Sequence, residues 1–268
     1  FGDNAGMILG EAAQFVAVTT LDFALENGLN ILGGFTDVAI NADGFKKSIS
    51  SPGIGNYITM AQSISNTIKI GCSIQDSIVI AHGTGTFQNR STESDVLNRV
   101  AEGFELKKWK VTALKGMLGH TMGPAAGDEL MTAIGIWNHG LIPGINTTKK
   151  LADDVLTDNL DFCLNTREVD KEKIDTIYLN AKGFGGNNGT CGVVSPKFIK
   201  SKINQKELKD YEIKLADTQD KRTNYFEESI NGEYNLIYRF KEEILDPEKD
   251  MKITRDKISI SDFKDIDL

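Results

Sequence analysis

A histidine placed directly after a short apolar run is the feature that most constrains this chain. Residues 77–81 predict a strand, and the loop HGTGT at 82–86 follows it at once. A short apolar run rich in isoleucine and valine is typical of a strand buried on both faces. Because side chains at the end of such a strand face a pocket, His82 is predicted to line one.

Two further strand-like runs end in loops of the same kind. Residues 110–114 lead into a loop that ends on His120, and residues 176–179 lead into a glycine-rich loop at 180–188. Strands that alternate with helices of ordinary length predict parallel pairing and a layered α/β fold. The carboxyl ends of such strands lie together. We therefore expect two imidazoles and a set of free backbone N–H groups at one place.

The rest of the pattern supplies the remaining elements. A glycine after a helical stretch, an early proline and helical apolar spacing set the predicted ends. The predicted strands are 13–20, 30–40, 160–164 and 189–195; the predicted helices are 21–26, 56–70, 91–104 and 123–138, and 41–55 is a turn-rich loop.

Composition limits the classes of function. The chain has 268 residues, 40% of them hydrophobic and 25% charged, which is enough for one large or two small cores. No apolar run approaches the length of a membrane span and no signal peptide is evident; the start at Phe1 is interpreted as a cut. The formal net charge of −8 disfavours a general nucleic-acid surface, which needs a basic excess.

The cysteines indicate a reducing compartment. Cys72, Cys163 and Cys191 are odd in number, widely spaced and form no C-x-x-C pair. This pattern suits the cytoplasm and argues against structural zinc or a disulfide framework. Each is predicted to be a small buried residue.

Four motifs together resemble the second half of the beta-ketoacyl-[acyl-carrier-protein] synthases, condensing enzymes of the thiolase fold. They are GMILGEA at 6–12, HGTGT at 82–86, KGMLGHTMGPAAG at 115–127 and NAKGFGGNN at 180–188. One such motif is weak support, but four in the family's order and spacing are strong. The likeness covers residues 1–196 and implies the C-terminal half of a thiolase-like α/β layered fold, with a mixed sheet packed between helices.

The resemblance implies a decarboxylative Claisen condensation, in which a cysteine is acylated and a malonyl carrier loses carbon dioxide. By resemblance, His82 and His120 donate N–H to the enolate oxygen, as preorganised donors. His120 precedes a helix that opens near Pro124, whose dipole would oppose protonation of the ring. The resemblance also implies that Lys115 forms an ion pair with Glu129 and that Glu93 shares Lys115. It implies that Thr84 and Thr86 contact the pantetheine arm of the carrier. Phe184 would gate the acyl pocket and donate to the acyl oxyanion, and Gly185 and Gly186 would let its loop move.

Plainer interpretations stand beside these roles. Lys115 and Glu129 are also compatible with a purely structural ion pair, and His139 suits a helix end where the dipole stabilises it. The glycine-rich loop at 180–188 could cradle a phosphate, but strand-like residues follow it instead of a helix, which disfavours nucleotide binding. No metal and no cofactor is expected beyond the phosphopantetheine that carries the substrates.

Several positions depart from the family pattern. The nucleophilic cysteine of the family lies upstream of the GMILGEA-like motif, and none of the cysteines here has that context, so the chain alone is expected to be inactive. Arg90 stands where the family usually has Asp, and Gly116 where it has Ser or Thr. Lys182 replaces a Phe and would narrow or polarise the acyl pocket.

Two functions stay open. The chain is either the C-terminal half of an active synthase, separated from its cysteine half by cloning, proteolysis or a split gene, or a non-catalytic partner subunit that determines chain length. Retention of both histidines and of Lys115 favours the first. A thiolase-type enzyme is disfavoured because thiolases carry a different histidine and cysteine pattern.

The expected partners follow from the family. They are the half that bears the cysteine, a second subunit in a homo- or heterodimer, and an acidic acyl carrier protein. An acidic chain needs a local basic patch for that carrier. The candidates are Lys46, Lys47, Lys149 and Lys150.

Residues 197–268 form a charged C-terminal extension for which the sequence gives no family counterpart. They are dense in Lys, Asp and Glu, with strand-like stretches at 234–240 and 258–260. We expect an appendage that packs loosely or is partly disordered, with a small interaction domain as the alternative.

Overall fold

The computed structural model describes residues 1–3, 6–44, 53–233, 247–261 and 265–267. The chain divides into two compact units, Phe1–Thr218 and Gln219–Leu268. The first unit contains the layered sheet and its helices. The candidate site therefore lies wholly within the first unit.

The elements follow one another in the order strand, helix, strand that the sequence predicts. In chain order they are α1 (Leu21–Glu26), β1 (Gly34–Ala42), α2 (Gly55–Lys69), β2 (Ile78–Ile80), α3 (Phe87–Gly103), β3 (Trp109–Thr112), α4 (Lys115–Leu118), α5 (Ala125–His139), β4 (Leu141–Ile142), β5 (Leu160–Phe162), β6 (Arg167–Glu168), β7 (Thr176–Gly183), β8 (Asn187–Val194), α6 (Pro196–Ser201), α7 (Gln205–Asn231), α8 (Pro247–Asp250), β9 (Met251–Ile253), β10 (Lys257–Ile260) and β11 (Ile266–Asp267).

The main sheet is mixed. In the described part of the chain it has six strands in the order β1-β8-β7-β2-β3-β5. Strand β2 pairs in parallel with β3 and β7, and β3 with β5, whereas β8 is antiparallel to both β1 and β7. Because β2, β3 and β7 run the same way, their carboxyl ends meet at one edge of the sheet.

Side chains alternate across β2 and fill a core on each face of the sheet. Val79 packs in a cluster with Met60 of α2 and Leu97 of α3. Ile78 and Ile80 point the other way, into a cluster with residues of α5 such as Ile136 and Trp137. The alternation is the two-residue period of a strand, and all of β2 is buried as a result. The sheet lies between helices, which confirms the predicted fold class.

The predicted strand at 13–20 is wrong: the structure has no strand there, although its composition is strand-like. Phe15 is 98% exposed and Val18 is 68% exposed. A strand is defined by its hydrogen bonds to a neighbour, and within the described residues nothing pairs with this segment. Composition by itself cannot supply that neighbour.

Two other boundaries differ from the prediction for local reasons. Helix α3 begins at Phe87 instead of residue 91, because Thr86 caps it by accepting a hydrogen bond from the Asn89 N–H at 3.4 Å. The predicted loop at 180–188 is mostly strand: β7 runs on to Gly183 and turns tightly into β8. The turn itself is only 184–186.

The first part of the charged C-terminal segment is packed into the first unit, contrary to the expectation of loose packing. Tyr211 of α7 is 1% exposed, and its hydroxyl donates to the Leu29 carbonyl at 2.8 Å. Gly28 has a φ of +59°, and a Cβ there would lie 2.5 Å from the backbone carbon of Lys214. A glycine is required for α7 to approach this closely.

The second unit contains a small sheet. Strands β9, β10 and β11 form it, all paired antiparallel. The strand predicted at 258–260 is confirmed, since it lies within β10. The strand predicted at 234–240 lies outside the described residues.

Candidate functional site

His82 lies at the carboxyl end of β2 and is almost fully buried, with 4% of its surface exposed. Its ring nitrogen Nδ1 accepts a hydrogen bond from the main-chain N–H of Lys182, at the end of β7, at 3.3 Å. The turn after the ring requires glycine, because Gly83 has a φ of +50° and a Cβ there would lie 2.5 Å from the Cβ of Ala113. Adjacent parallel strands thus fix the ring.

Glu93 holds the loop that carries His82. Its carboxylate is fully buried and accepts four hydrogen bonds within 2.9 Å. Two come from the main-chain N–H groups of His82 and Gly83, and two from the side-chain amides of Asn89 and Asn180. Glu93 was predicted to share Lys115, but its contacts are with this loop, and the ion pair of Lys115 is with Glu129.

Asn180 is a member of the site to which the sequence analysis assigned no role. It bridges Glu93 to a second buried amide, since Asn56 Nδ2 donates to Asn180 Oδ1 at 2.7 Å. The Thr190 hydroxyl on β8 also donates to that oxygen, at 3.2 Å. A buried polar group needs such partners. Asn180 is the first residue of the motif NAKGFGGNN. Its position as a polar residue within a buried strand is the sequence signal that could have identified it as a site residue.

His120 is held by the crossing of the amino-terminal segment over its loop. Its main-chain N–H donates to the Ile8 carbonyl at 2.6 Å, and its own carbonyl accepts from Gly10 N–H at 3.1 Å. The preceding Gly119 has φ 75° and ψ 178°, a backbone conformation that is essentially restricted to glycine. Residues 6–12 were recognised from the sequence as a family-like motif without an assigned role. In the structure, this motif positions His120.

Replacing Gly119 by alanine is expected to destabilise the unit by about 1–3 kcal/mol, because the new Cβ meets both an unfavourable backbone conformation and a neighbouring chain. That Cβ would lie 2.7 Å from Gly10 N. Urea unfolding of the purified chain measures the loss.

Gly103 offers the matched control. It ends α3, and a Cβ added there meets nothing within 4 Å. Gly103→Ala is expected to be neutral or stabilising by up to about 1 kcal/mol, since alanine favours a helix. Equal effects of the two substitutions would contradict the role given to Gly119.

The two histidine rings face each other edge to face, with centroids 5.3 Å apart and an interplanar angle of 82°. Each Nδ1 accepts a main-chain N–H: His82 from Lys182 at 3.3 Å, and His120 from Met122 at 3.1 Å. A neutral imidazole that accepts at Nδ1 carries its proton on Nε2. The backbone therefore sets both rings as neutral Nε2–H donors.

The electrostatic surroundings keep these rings uncharged. Burial lowers the pKa of His82 well below its usual value, and the charges of Lys115 and Lys182 lower it further, with His120 also contributing. Burial also lowers the pKa of His120, and Lys115 adds to the effect. The lowered pKa of His120 has the direction predicted from the helix dipole, but its causes are burial and the charge of Lys115.

Acid is expected to destabilise the protein through His82. Its folded-state pKa lies below its unfolded value of about 6.5, so its contribution to stability is full above that pH and is lost as the pH falls through the window towards the folded-state pKa. The loss is at most about 1.4 kcal/mol per pH unit. Urea unfolding at several pH values from about 7.5 down to 5.5 measures it.

His82→Gln should remove the His82 part of the acid slope. The smaller part due to His120 remains, and so does the opposite slope of Glu129, whose raised pKa of about 8 makes the folded state gain stability as the pH falls. His139→Gln is the control, because His139 is exposed at the end of α5 and no comparable burial acts on it. An acid slope that is unchanged in His82→Gln would contradict the interpretation.

Lys115 and Glu129 form the predicted ion pair. The Nζ–Oε1 distance is 3.1 Å, and the side chains are 7% and 2% exposed. Burial raises the pKa of Glu129 to about 8, although Lys115 opposes the rise. Oε2 of Glu129 has no hydrogen-bond partner among the described residues. The pair therefore places the positive charge of Lys115 beside both histidines, and Glu129 neutralises that charge only in part.

The other predicted site residues line the same strand ends. Thr84 is 7% exposed, and its hydroxyl lies 3.3 Å from that of Thr86, which caps α3. Phe184 is 54% exposed at the tip of the turn between β7 and β8. Gly185 and Gly186 adopt φ values of 78° and 83° there, which favour glycine.

The three departures from the family pattern have local explanations or consequences. A Cβ on Gly116 would lie 2.2 Å from Thr147 Oγ1, so a larger residue would require the Thr147 side chain to move. Arg90 ties the amino-terminal residues to the unit through the Gly2 carbonyl at 2.7 Å and Asp154 at 2.8 Å. Lys182 is 8% exposed beside His82.

None of the three cysteines is activated. Cys72 Sγ lies 3.0 Å from the Thr176 hydroxyl, and Cys163 packs in the core on the α5 face of the sheet. Burial raises the pKa of all three thiols. A thiol with a raised pKa is a poor nucleophile.

Other features of the described residues bear on ligands and partners. No cluster of three or more His, Cys, Asp or Glu side chains there is arranged as metal ligands. Across the same residues, no helix combines the length and apolar character needed to cross a membrane. Lys149 and Lys150 are exposed, and Lys150 pairs loosely with Asp153 at 3.7 Å. Lys46 and Lys47 lie outside the described residues.

Comparison with known proteins identifies relatives of this chain by sequence. Residues 32–149 match the family model described as "Beta-ketoacyl synthase, C-terminal domain". "Beta-ketoacyl-[acyl-carrier-protein] synthase FabY" of Pseudomonas aeruginosa is 37% identical over 271 residues, which cover 98% of this chain and 42% of that protein.

Solved structures agree with the sequence relatives. The crystal structure of "the noncanonical ketosynthase FabY" from P. aeruginosa is similar at a TM-score of 0.76 and 35% identity, covering 92% of this chain and 40% of that one. A structure described as "the ishigamide ketosynthase/chain length factor" is similar at a TM-score of 0.60 and 25% identity, over 72% of this chain and 45% of that one. The chain spans less than half the length of each.

The similarity to FabY corrects one expectation about the charged C-terminal segment. The sequence analysis found no family counterpart for residues after Pro196. The FabY similarity covers 98% of the chain, so it extends over most of that segment. A relative therefore carries this region too.

Proposed function

Because this chain belongs to the beta-ketoacyl synthase family and contains its C-terminal domain at residues 32–149, we propose that it is the histidine-bearing part of a 3-oxoacyl-[acyl-carrier-protein] synthase. The reaction is a decarboxylative Claisen condensation of an acyl thioester with a malonyl carrier, in fatty acid or polyketide synthesis. Relatives with this chemistry and a thiolase-like fold support the proposal.

The observation that carries the proposal is the pair of imidazoles whose Nδ1 atoms both accept main-chain N–H groups. Their Nε2–H groups are then free to donate to one oxygen between them. When the malonyl C–C bond breaks, carbon dioxide leaves as a neutral molecule and the electron pair stays on the thioester as an enolate. Two fixed neutral donors stabilise that oxygen without protonating the carbanion.

The remaining steps need a cysteine thioester. The enolate carbon attacks the acyl carbonyl, a carbon–carbon bond forms, and the cysteine thiolate leaves. Since burial raises the pKa of Cys72, Cys163 and Cys191, we assign this nucleophile to residues outside the present sequence. Without that cysteine we expect the chain alone to be inactive.

The other site residues take supporting roles in the proposal. Lys115, held by Glu129, keeps both rings neutral, and Glu93 fixes the His82 loop. Phe184, exposed at the tip of its turn, gates the acyl pocket and offers its main-chain N–H to the acyl oxyanion. We assign Thr84 and Thr86 to the pantetheine arm, with Gly185 and Gly186 giving the turn its freedom.

The proposed partners are an acyl carrier protein, the cysteine-bearing part, and a second subunit in a homo- or heterodimer. Lys149 and Lys150 are exposed candidates for contact with the acidic carrier. We propose a cytoplasmic enzyme without a resident cofactor; three free cysteines suit a reducing compartment.

A second candidate function is a chain-length-determining subunit that shapes the pocket without catalysis. The similarity to "the ishigamide ketosynthase/chain length factor" favours keeping it. Assay of the complete protein with acyl carrier and malonyl carrier separates the two. Formation of 3-oxoacyl product by the protein alone supports the synthase, whereas product only after addition of a separate ketosynthase supports the subunit.

A further inference from the structure

Met122, two residues after His120, has a strained backbone. It is one of three residues other than glycine with a positive φ in the described part of the chain, and its φ is 63°. This left-handed conformation is disfavoured by a factor of about 5–30 for a residue with a Cβ. The side chain of Met122 is 47% exposed, so its own packing does little to compensate. Contacts of its neighbours must therefore hold the conformation.

The conformation of Met122 serves the site. Its main-chain N–H donates to His120 Nδ1 at 3.1 Å, which leaves the proton of that ring on Nε2. Backbone strain persists only where the surrounding structure over-determines it. After Met122, its carbonyl accepts from the Ala125 N–H at 3.3 Å, at the start of α5. The hold before Met122 acts through Thr121.

Asp128 of α5 provides that hold. Thr121 is 7% exposed, and its hydroxyl donates to Asp128 Oδ2 at 2.6 Å. The other carboxylate oxygen, Oδ1, accepts from the side-chain amide of Gln14, in the amino-terminal segment that crosses the His120 loop. One carboxylate thus joins the crossing segment, the histidine loop and helix α5.

We propose that Asp128 is a positioning residue for the condensation described above, and this inference rests on that proposed function. Its bond to Thr121 keeps Met122 left-handed, and the Met122 N–H in turn holds His120 with Nε2–H towards the enolate oxygen. Among the described residues, the hydrogen bonds of the Asp128 carboxylate go to Thr121 and Gln14 and to neither histidine ring. Asp128 therefore acts through the loop.

The first test removes only the hydroxyl of Thr121. Thr121→Val keeps the shape of the side chain, whereas Thr121→Ser keeps the hydroxyl. Hydrogen exchange of the Met122 amide and the ¹⁵N shift of His120 Nδ1 are measured by NMR on the 268-residue chain. Thr121→Val should speed Met122 exchange by at least about fivefold relative to the amide of Val111 in β3, and Thr121→Ser should restore slow exchange. A general loss of stability would speed both amides.

Thr132→Val is the matched control. Thr132 also lies on α5, but its hydroxyl donates to the main-chain carbonyl of Asp128, at 2.9 Å, and not to the carboxylate. The same change there should leave the Met122 exchange rate and the His120 shift unaltered.

A second test uses the strain itself, in the complete enzyme. Asp128→Ala should lower kcat by about 5–30-fold, the factor by which the left-handed conformation is disfavoured, and change KM for the malonyl carrier by less than about twofold. Glycine adopts a positive φ readily, so Met122→Gly removes the penalty that Asp128 offsets. In a Met122→Gly background, Asp128→Ala should therefore lower kcat by less than about threefold, a non-additive result.

The outcomes are distinct. Unchanged Met122 exchange in Thr121→Val, or equal effects of Asp128→Ala in the two backgrounds, overturns the positioning role and leaves the proposed function intact. An unmodified complete protein that forms no 3-oxoacyl product contradicts the proposed function, and the exchange measurements on the chain still test the hold of Asp128 on the loop.

Discussion

Replacing His120 by alanine in the complete condensing enzyme is expected to lower kcat for 3-oxoacyl formation by about 10²–10³-fold, the usual cost of removing one preorganised donor to an oxyanion. His120 is chosen over His82 because it is less buried, so the loss of its ring disturbs the core less. The change removes one of two Nε2–H groups, and the enolate oxygen keeps the other. The initial rate of product formation at saturating malonyl carrier gives the effect.

Two variants show whether the loss comes from the donor. His120→Gln places a side-chain N–H near the former Nε2 and should retain more activity than alanine, although the contact with the Met122 N–H is lost. His139→Ala removes the exposed histidine at the end of α5 and should leave kcat unchanged. Activity of His120→Ala within about threefold of the unmodified enzyme would rule out the role given to this ring.

The second large effect concerns Glu93. Glu93→Ala is expected to lower the free energy of unfolding by about 4–5 kcal/mol, because it leaves buried donors without acceptors and opens a cavity. Main-chain N–H groups of His82 and Gly83 and the amides of Asn89 and Asn180 would all lose their partner. Such a loss is a large part of the stability of a typical domain. Urea unfolding of the purified chain measures it.

Graded substitutions on the same helix test the cause. Glu93→Gln keeps the size and one acceptor oxygen but turns an NH₂ group towards donors, so we expect a smaller loss of about 1–3 kcal/mol. Glu102→Ala removes an exposed glutamate near the end of α3 and should change stability by no more than about 0.5 kcal/mol. Similar values for Glu93→Ala and Glu102→Ala would show that the hydrogen bonds of Glu93 contribute little.

Where the sequence pattern predicted the fold correctly, the signal was local. The run 77–81 became β2 because its residues can be buried on both faces, and helices α2 and α5 follow the apolar spacing and the glycine and proline at their ends. The prediction failed at 13–20, where a strand needs a neighbour, and at the packed part of the charged segment. There Phe198 of α6 and Tyr211 of α7 are buried although the surface of the segment is mostly polar.

The residues of the site were predicted better than their contacts. His82, His120, Lys115 and Glu129 do come together, since their motifs sit at strand ends that parallel pairing brings to one edge. Glu93 was assigned to the wrong partner. Two of its four contacts are main-chain N–H groups, which every residue except proline presents and which no sequence pattern therefore marks.

The sequence by itself thus determined which chemical groups the chain carries and at which strand ends they stand. Tertiary structure alone decided how those groups are held. The proton position on each imidazole depends on the N–H groups of Lys182, 100 residues from His82, and of Met122, in the loop that follows His120. Hydrogen bonds are directional and short, so they are fixed only when the packed sheet and loops place donor and acceptor together.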